Sequence, residues 1–502
     1  MPDAIVAEQG LAAVVLAALV AEGVRRSDWA AAERRFSRRL ADALWLGAWL
    51  GGALLLGNLL RSPASDFSAL AAANTLAFAA LSGAALSRLS ATGRCVDRLR
   101  APSQLHAMAT SCAEPVLPAR DPARVFLPDL ESLRGIAIGL VLIGHVIGAV
   151  NLGEVRGWVS VPAAIFIAGH TGVTLFFVLS GYLVSRPFLT EGRAVSVGHY
   201  FTRRAVRILP LYVPTVLLTA AFVAQRWTDL WRAVPHLLFL PPGSPLAPPL
   251  LTNTQPPLGL SGQWWSLSTE VQFYLVLPVI AWLLSSRRSH LASAALAIGW
   301  LAAYVALLRG DFRLGSTAHF GALLSLLTRA PAFAAGAALA WVELRYGEAL
   351  RHALASRSWL RAGGSDLALV AVVLGLGLLL RAVVHDGYTY WEERCNPWHV
   401  AEATLWCSMM ALLRFAPLRL RPLLVNAPLG TLGRISYSLY LIHLPVIWAL
   451  LSRDISAHIL GRGLTGQLTL AVMLVIASLG VAVVTYRVVE HPVLHWKRRV
   501  TV

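Results

Sequence analysis

Arg134 and His145 bracket the most unusual stretch of this chain, LPDLESLRGIAIGLVLIGHVIGAV over residues 127–150, with nothing ionisable between them. On an α-helix their separation is a rise of about 16 Å and close to three whole turns, so both side chains lie on nearly one face. An imidazole near neutrality is suited to act as a general base on an alcohol, although an intramembrane histidine can also simply bond to a neighbouring helix. Arg134 alone would read as an anchor at the basic side of a membrane. Glu131, three residues earlier, is placed to pair with it and hold its fork.

Five more stretches carry polar groups into apolar surroundings. In YFTRRAVRILPLY (200–212) Arg204 and Arg207 are one helical turn apart with Arg203 beside them. That spacing offers two guanidiniums to one polyanion, such as the phosphates of a nucleotide-containing donor, or else is a topogenic charge cluster. FFVLSGY (176–182) sets Ser180 next to Gly181; small residues serve close helix packing, and the motif is not a serine-hydrolase elbow. GQWWSLSTEVQFYLVLP (262–278) brings Trp264 and Trp265 to an outer membrane edge, as interfacial anchors or as the entrance for a sugar or other polyol, with Glu270 and Tyr274 one turn apart behind them. SYSLYLIHLPV (436–446) holds a second intramembrane histidine, His443, and YRVVEHP ends the bundle with Glu490.

The elements that position these groups are read from composition. Of 502 residues 57% are hydrophobic and only 14% charged, and the mean hydropathy is +0.62, which argues for an all-α polytopic membrane protein. The net charge of +17 is distributed in short arginine clusters between apolar runs. This fits loops under the positive-inside rule and contacts with anionic lipid, and it excludes a nucleic-acid-binding face. About ten spans are expected in the core: 127–150, 161–184, 208–223, 265–284, 291–308, 320–341, 367–384, 400–413, 435–451 and 468–489. The core starts and ends in the cytoplasm, and the protein is multi-pass in the inner (plasma) membrane.

Two or three further helices and a basic amphipathic segment occupy residues 1–100. A proline-punctuated cytoplasmic linker follows over 101–126, the membrane domain runs over 127–492, and a basic tail closes the chain over 493–502. The longest outer loop, 227–263, is rich in proline and glycine and is expected to be irregular. Cys95, Cys112, Cys395 and Cys407 have no metal-ligand spacing, so neither a metal site nor a disulfide framework is expected.

Taken together, LESLRGIAIGLVLIGH, FFVLSGYLVSRPF, RRAVRILPLY, WWSLSTEVQFYLVLP, ISYSLYLIHLPV and VVEHP resemble the integral-membrane acyltransferase family 3 over about 127–492. The resemblance implies that Arg134 and His145 are catalytic, that Arg204 and Arg207, joined by the adjacent Arg203 on its position, hold acetyl-CoA or another acyl-CoA as co-substrate, and that the acceptor is a hydroxyl of a carbohydrate or other metabolite. Glu131 stands where that family is expected to have aspartate. Glu131, Ser180, Trp264, Glu270, Tyr274 and His443 are then acceptor-side or supporting residues. A proton-coupled transporter or flippase is the alternative, since a multispan bundle with buried histidine and glutamate also describes a carrier; an internal repeat, its usual mark, is not visible. The acceptor, the acyl chain and any homo-oligomeric state are left open by the residues.

Overall fold

The computed structural model describes residues 127–150, 160–191, 195–223, 233–240, 262–284, 290–308, 325–385, 398–451 and 463–493. The expected N-terminal helices, the linker, Cys95, Cys112 and Cys395, and most of the loop at 227–263 and of the basic tail lie outside the described residues. Within them the chain is helical and contains no strand. The elements are α1 (Pro128–Val150), α2 (Ser160–Ile167), α3 (Thr171–Glu191), α4 (Val197–Val223), α5 (Ala233–Leu237), α6 (Trp264–Leu284) and α7 (His290–Leu308). They continue with α8 (Leu326–Ala355), α9 (Ser365–His385), α10 (Trp398–Phe415), α11 (Arg421–Leu424), α12 (Ala427–Arg434), α13 (Ser436–Leu451) and α14 (Leu464–Thr485).

Six helices are long and apolar enough to cross a membrane among the described residues, and α11 to α13, bent by 63°, pass together as a seventh. Three boundaries differ from expectation, one being the span expected over 320–341, which is a helix continuing from Leu326 to Ala355. The run at 161–184 is not one helix: the chain turns over Ala168–His170 between α2 and α3. That turn is possible because Gly169 lies directly on Gly144 of α1, where a Cβ on either glycine would strike the other's backbone. The helix expected from about 208 instead begins at Val197, so all three arginines of the basic motif are helical.

α1 is central and packs against α2, α3, α12, α13 and α14. Pro128 opens it, and Asp129 and Glu131 occupy its first turn, where a helix favours proline and negative charge. Its backbone approaches its neighbours closely through glycine: Gly433 of α12 lies on the Glu131 carbonyl and Gly172 of α3 on the Ala137 carbonyl. α3 and α8 interlock in the same way, Gly181 against Phe333 and Gly336 against Val178.

At the end of the bundle where α1 begins, called here the basic end, a charged network ties four helices together. Asp129, 1% exposed, accepts from Arg414 Nη1 of α10 at 2.6 Å. The same guanidinium is bonded to Glu343 of α8 through both Nε and Nη2. Glu343 also accepts from Tyr182 of α3, whose hydroxyl in turn accepts from Arg186 at 2.6 Å. Arg414 is the hydrogen-bonded cation shared by both buried carboxylates, and its removal leaves Asp129 only Arg421 at 3.8 Å and Glu343 only the more exposed Arg351 and Arg186 at 3.4 and 3.9 Å. Arg414→Ala is therefore expected to lower stability by about 3 kcal/mol or more, read as thermal unfolding in detergent, with Arg414→Lys restoring only part because a point charge cannot bridge both partners.

Candidate functional site

The groups singled out in the sequence gather in two layers along α1. The first layer is near the basic end. Arg134 donates to Glu131 Oε1 at 3.2 Å and to Ser436 Oγ of α13 at 2.9 Å, so its fork is held between its own helix and a neighbour. Glu270 of α6 accepts from Ser180 Oγ of α3 and from Tyr274 OH, both at 2.5 Å. Arg207 of α4 lies within electrostatic reach of Glu131, Glu270, Glu490 and Tyr274, and interacts with Arg134 as well. Glu490 itself accepts from Ser438 at 2.7 Å. Two guanidiniums and three carboxylates, from α1, α4, α6 and the segment Tyr486–Glu490 that follows α14, thus share one neighbourhood.

Arg204 closes this layer toward the basic end. Its guanidinium sits 5.4 Å from the Tyr274 ring and 5.9 Å from the Tyr200 ring, and its buried Nε has no partner among the described residues. A cation held on two aromatic faces with an N–H unused is prepared for an anionic ligand. Arg203 is exposed one residue away and donates from Nε to His199 at 2.6 Å. The three arginines are graded from solvent inward, a geometry that phosphate groups fit.

The second layer is deeper along α1. His145 Nδ1 lies 3.1 Å from His443 Nε2 of α13, with ring centroids 5.0 Å apart. His443 Nδ1 is 3.0 Å from the Leu439 carbonyl, which can only accept, so in a neutral ring that nitrogen carries the proton. His443 Nε2 is then a lone pair, His145 Nδ1 must donate to it, and the proton-free nitrogen of His145 is Nε2. The hydrogen-bond chain assigns His145 the tautomer of a base whose basic nitrogen points away from its orienting partner. α13 therefore serves both layers, Ser436 at Arg134 and His443 at His145.

Several sequence-derived placements change. Glu270 and Tyr274 lie near Arg204 and Arg207 in the basic-end layer and not at a polyol entrance on the other side, and Ser180 joins them there by its bond to Glu270. Trp264 is not an interfacial anchor: it is fully buried, edge-on to Tyr212 and His236. Its helix end is stapled to α13 instead, by Gln263 Nε2 donating to the Leu441 carbonyl at 3.0 Å and by Tyr440 OH reaching the Gln263 carbonyl at 2.7 Å. Reading the sequence passed over His170, Arg329, His399 and Glu402, which form a further polar group beyond His145. Arg329 and Glu402 fall inside apolar runs, and an ionisable residue in such a run was the available signal.

The family model described as acyltransferase domain matches residues 127–487. A protein of Komagataeibacter xylinus named as a membrane-bound transacylase is 26% identical over 395 residues, covering 74% of this chain and 84% of its own length. The peptidoglycan O-acetyltransferase OatA of Listeria monocytogenes is 25% identical over 31% of this chain, a match that spans only 24% of that protein. The exopolysaccharide production protein ExoZ of Rhizobium meliloti is 30% identical over 22% of this chain and 34% of its own. No solved structure matches.

Glu270 is the shared acceptor of the first layer, and its two roles separate by substitution. Glu270→Ala removes the one oxygen that accepts both hydrogen bonds and the charge near the arginines and is expected to cost about 2–3 kcal/mol, whereas Glu270→Gln keeps an amide oxygen that can accept them and should cost about 1 kcal/mol. Thermal unfolding of the two variants checks this; equal losses would mean that the bonds to Ser180 and Tyr274 contribute nothing.

Proposed function

The chain belongs to the acyltransferase-domain family of integral-membrane proteins, and on that footing we propose that it is an acyl-CoA-dependent O-acyltransferase. It moves an acetyl or other short acyl group from cytoplasmic acyl-CoA to a hydroxyl of a glycan, glycolipid or secondary metabolite. An acyltransferase, and not a carrier, is what the family match supports. The names of the Listeria and Rhizobium relatives, a peptidoglycan O-acetyltransferase and an exopolysaccharide production protein, favour a carbohydrate acceptor. The basic end faces the cytoplasm on this reading, since that is where the arginines collect.

The observation that carries the proposal is the orientation of His145 by His443, on the same helix as an arginine that opens toward a cluster of cations. Arg203, Arg204 and Arg207 hold the phosphates of the donor at the basic end, and Arg134 lines the way inward, its fork kept in place by Glu131 and Ser436. His145 Nε2 takes the proton of the acceptor hydroxyl as its oxygen attacks the thioester carbonyl. The carbon–sulfur bond breaks, the thiolate leaves as the CoA sulfur, and the proton on His145 returns to it. His443 accepts from Nδ1 throughout and favours the imidazolium that forms between the two transfers. Both substrates are held in one bundle, so orientation supplies a large share of the rate.

Purified protein in detergent, supplied with labelled acetyl-CoA and a mixture of glycan and glycolipid acceptors, is expected to release CoA and label an acceptor. His145→Ala should reduce the rate by about 100-fold or more. His443→Ala is expected to lower kcat about tenfold with KM for acetyl-CoA unchanged, and His443→Gln, whose amide oxygen can accept from His145 Nδ1, to recover part of it. Arg204→Gln with Arg207→Gln should raise KM for acetyl-CoA instead. Transfer that persists in His145→Ala would overturn the assignment.

A further inference from the structure

Beyond His145, away from the basic end, one cation has no counterpart in the mechanism. Arg329 is in the first turn of α8, is 3% exposed, and has neither Nε nor Nη2 hydrogen-bonded among the described residues. Its guanidinium lies over the Trp265 ring, 5.3 Å from the centroid. It is within electrostatic reach of His170 and His399. His170 follows Gly169, which packs on Gly144 next to His145, and it interacts electrostatically with both Arg329 and His145.

Three physical costs meet at this side chain. A guanidinium has been taken out of solvent, two of its strong donors are unused, and it sits at the positive end of a 30-residue helix, where a cation is disfavoured. The Trp265 face offsets part of this. Glu402, the carboxylate of this cluster, has its Oε2 taken by His399 Nδ1 at 3.0 Å and its Oε1 buried without a partner. It has not closed onto the arginine. The two unused donors are also a particular pair: Nε–H and Nη2–H point along the same edge of the guanidinium, the side-on fork that takes both oxygens of a carboxylate or phosphate.

We propose that Arg329 is the anion-recognition residue of an acceptor subsite on the far side of His145, and that the acceptor carries a carboxylate or phosphate bound on the Nε–Nη2 edge. This deepens the acyl-transfer reading and rests on it for the identity of the ligand as acceptor. Recognition of the acidic group would fix which hydroxyl of the acceptor meets His145 Nε2. The Trp265 face backs the guanidinium and keeps the fork in one orientation.

The test is binding by the purified full-length protein in detergent at constant ionic strength, with glucuronate, glucose 1-phosphate and glucose as probes, read by intrinsic fluorescence and thermal shift. Wild-type protein is expected to bind glucuronate or glucose 1-phosphate at least about tenfold more tightly than glucose, the preferred probe telling carboxylate from phosphate. Arg329→Gln should lose that preference. Arg329→Lys, which keeps the charge without the fork, should bind the preferred anion more weakly than wild type and decides the question if the glutamine variant does not fold. An anion preference absent from wild type, or retained in full by the folded variants, would overturn the proposal. Because no acyl-CoA is present, failure here is distinct from failure of the acyl-transfer assay.

Discussion

The structure depends on pairing the charges that its helices carry into the bundle. Arg414 is the clearest case, since one guanidinium satisfies Asp129 at the mouth of α1 and Glu343 on α8 while Tyr182 of α3 completes the set. An unpaired charge in such surroundings costs several kcal/mol, so the arrangement tolerates little sliding of one helix against another. Fixing the start of α1 fixes everything along it. Arg134 and His145 keep their separation because the helix is continuous from Pro128 to Val150.

The same constraint explains why α13 accompanies α1. Ser436 and His443 provide the partners that Arg134 and His145 need, and Gly433 in the preceding helix allows the backbones to approach closely enough for those bonds to form. Positioning and chemistry therefore share residues. The Leu439 carbonyl, an ordinary helix group, fixes the proton on His443 and through it the tautomer of His145. Near the basic end the opposite charges are mixed more evenly: Glu131, Glu270 and Glu490 offset Arg134 and Arg207, while Arg204 keeps a donor in reserve.

Much of the fold was legible in the residues because a membrane span announces itself by length and apolarity. α1, α6, α9 and α13 begin within a few residues of where the apolar runs begin. The failures have physical causes as well. Hydropathy averaged over a span does not see the break at Ala168–His170, because Gly169 and His170 interrupt the apolar run too briefly and the turn is made possible by packing on Gly144 of another helix. Nor could spacing show that Glu270 accepts from Ser180, since that bond joins α6 to α3 across the bundle. Trp264 was misread for a related reason: indole at a helix end suits an interface equally well as a core, and the choice belongs to Tyr212 and His236.

By itself the sequence determined the class of molecule, the family resemblance and the shared face of Arg134 and His145, since these follow from local composition and from the geometry of a single helix. Only the tertiary structure decided which residues hold that helix and those side chains in place. Arg414 looks like one more topogenic arginine until Asp129 and Glu343 are found around it, and His443 like a packing residue until its Nε2 meets His145. Contacts between helices hundreds of residues apart leave no periodicity in the chain. They are settled by the cost of leaving buried charges and proton donors unpartnered, which most of these side chains avoid and, among the described residues, Arg204 and Arg329 do not.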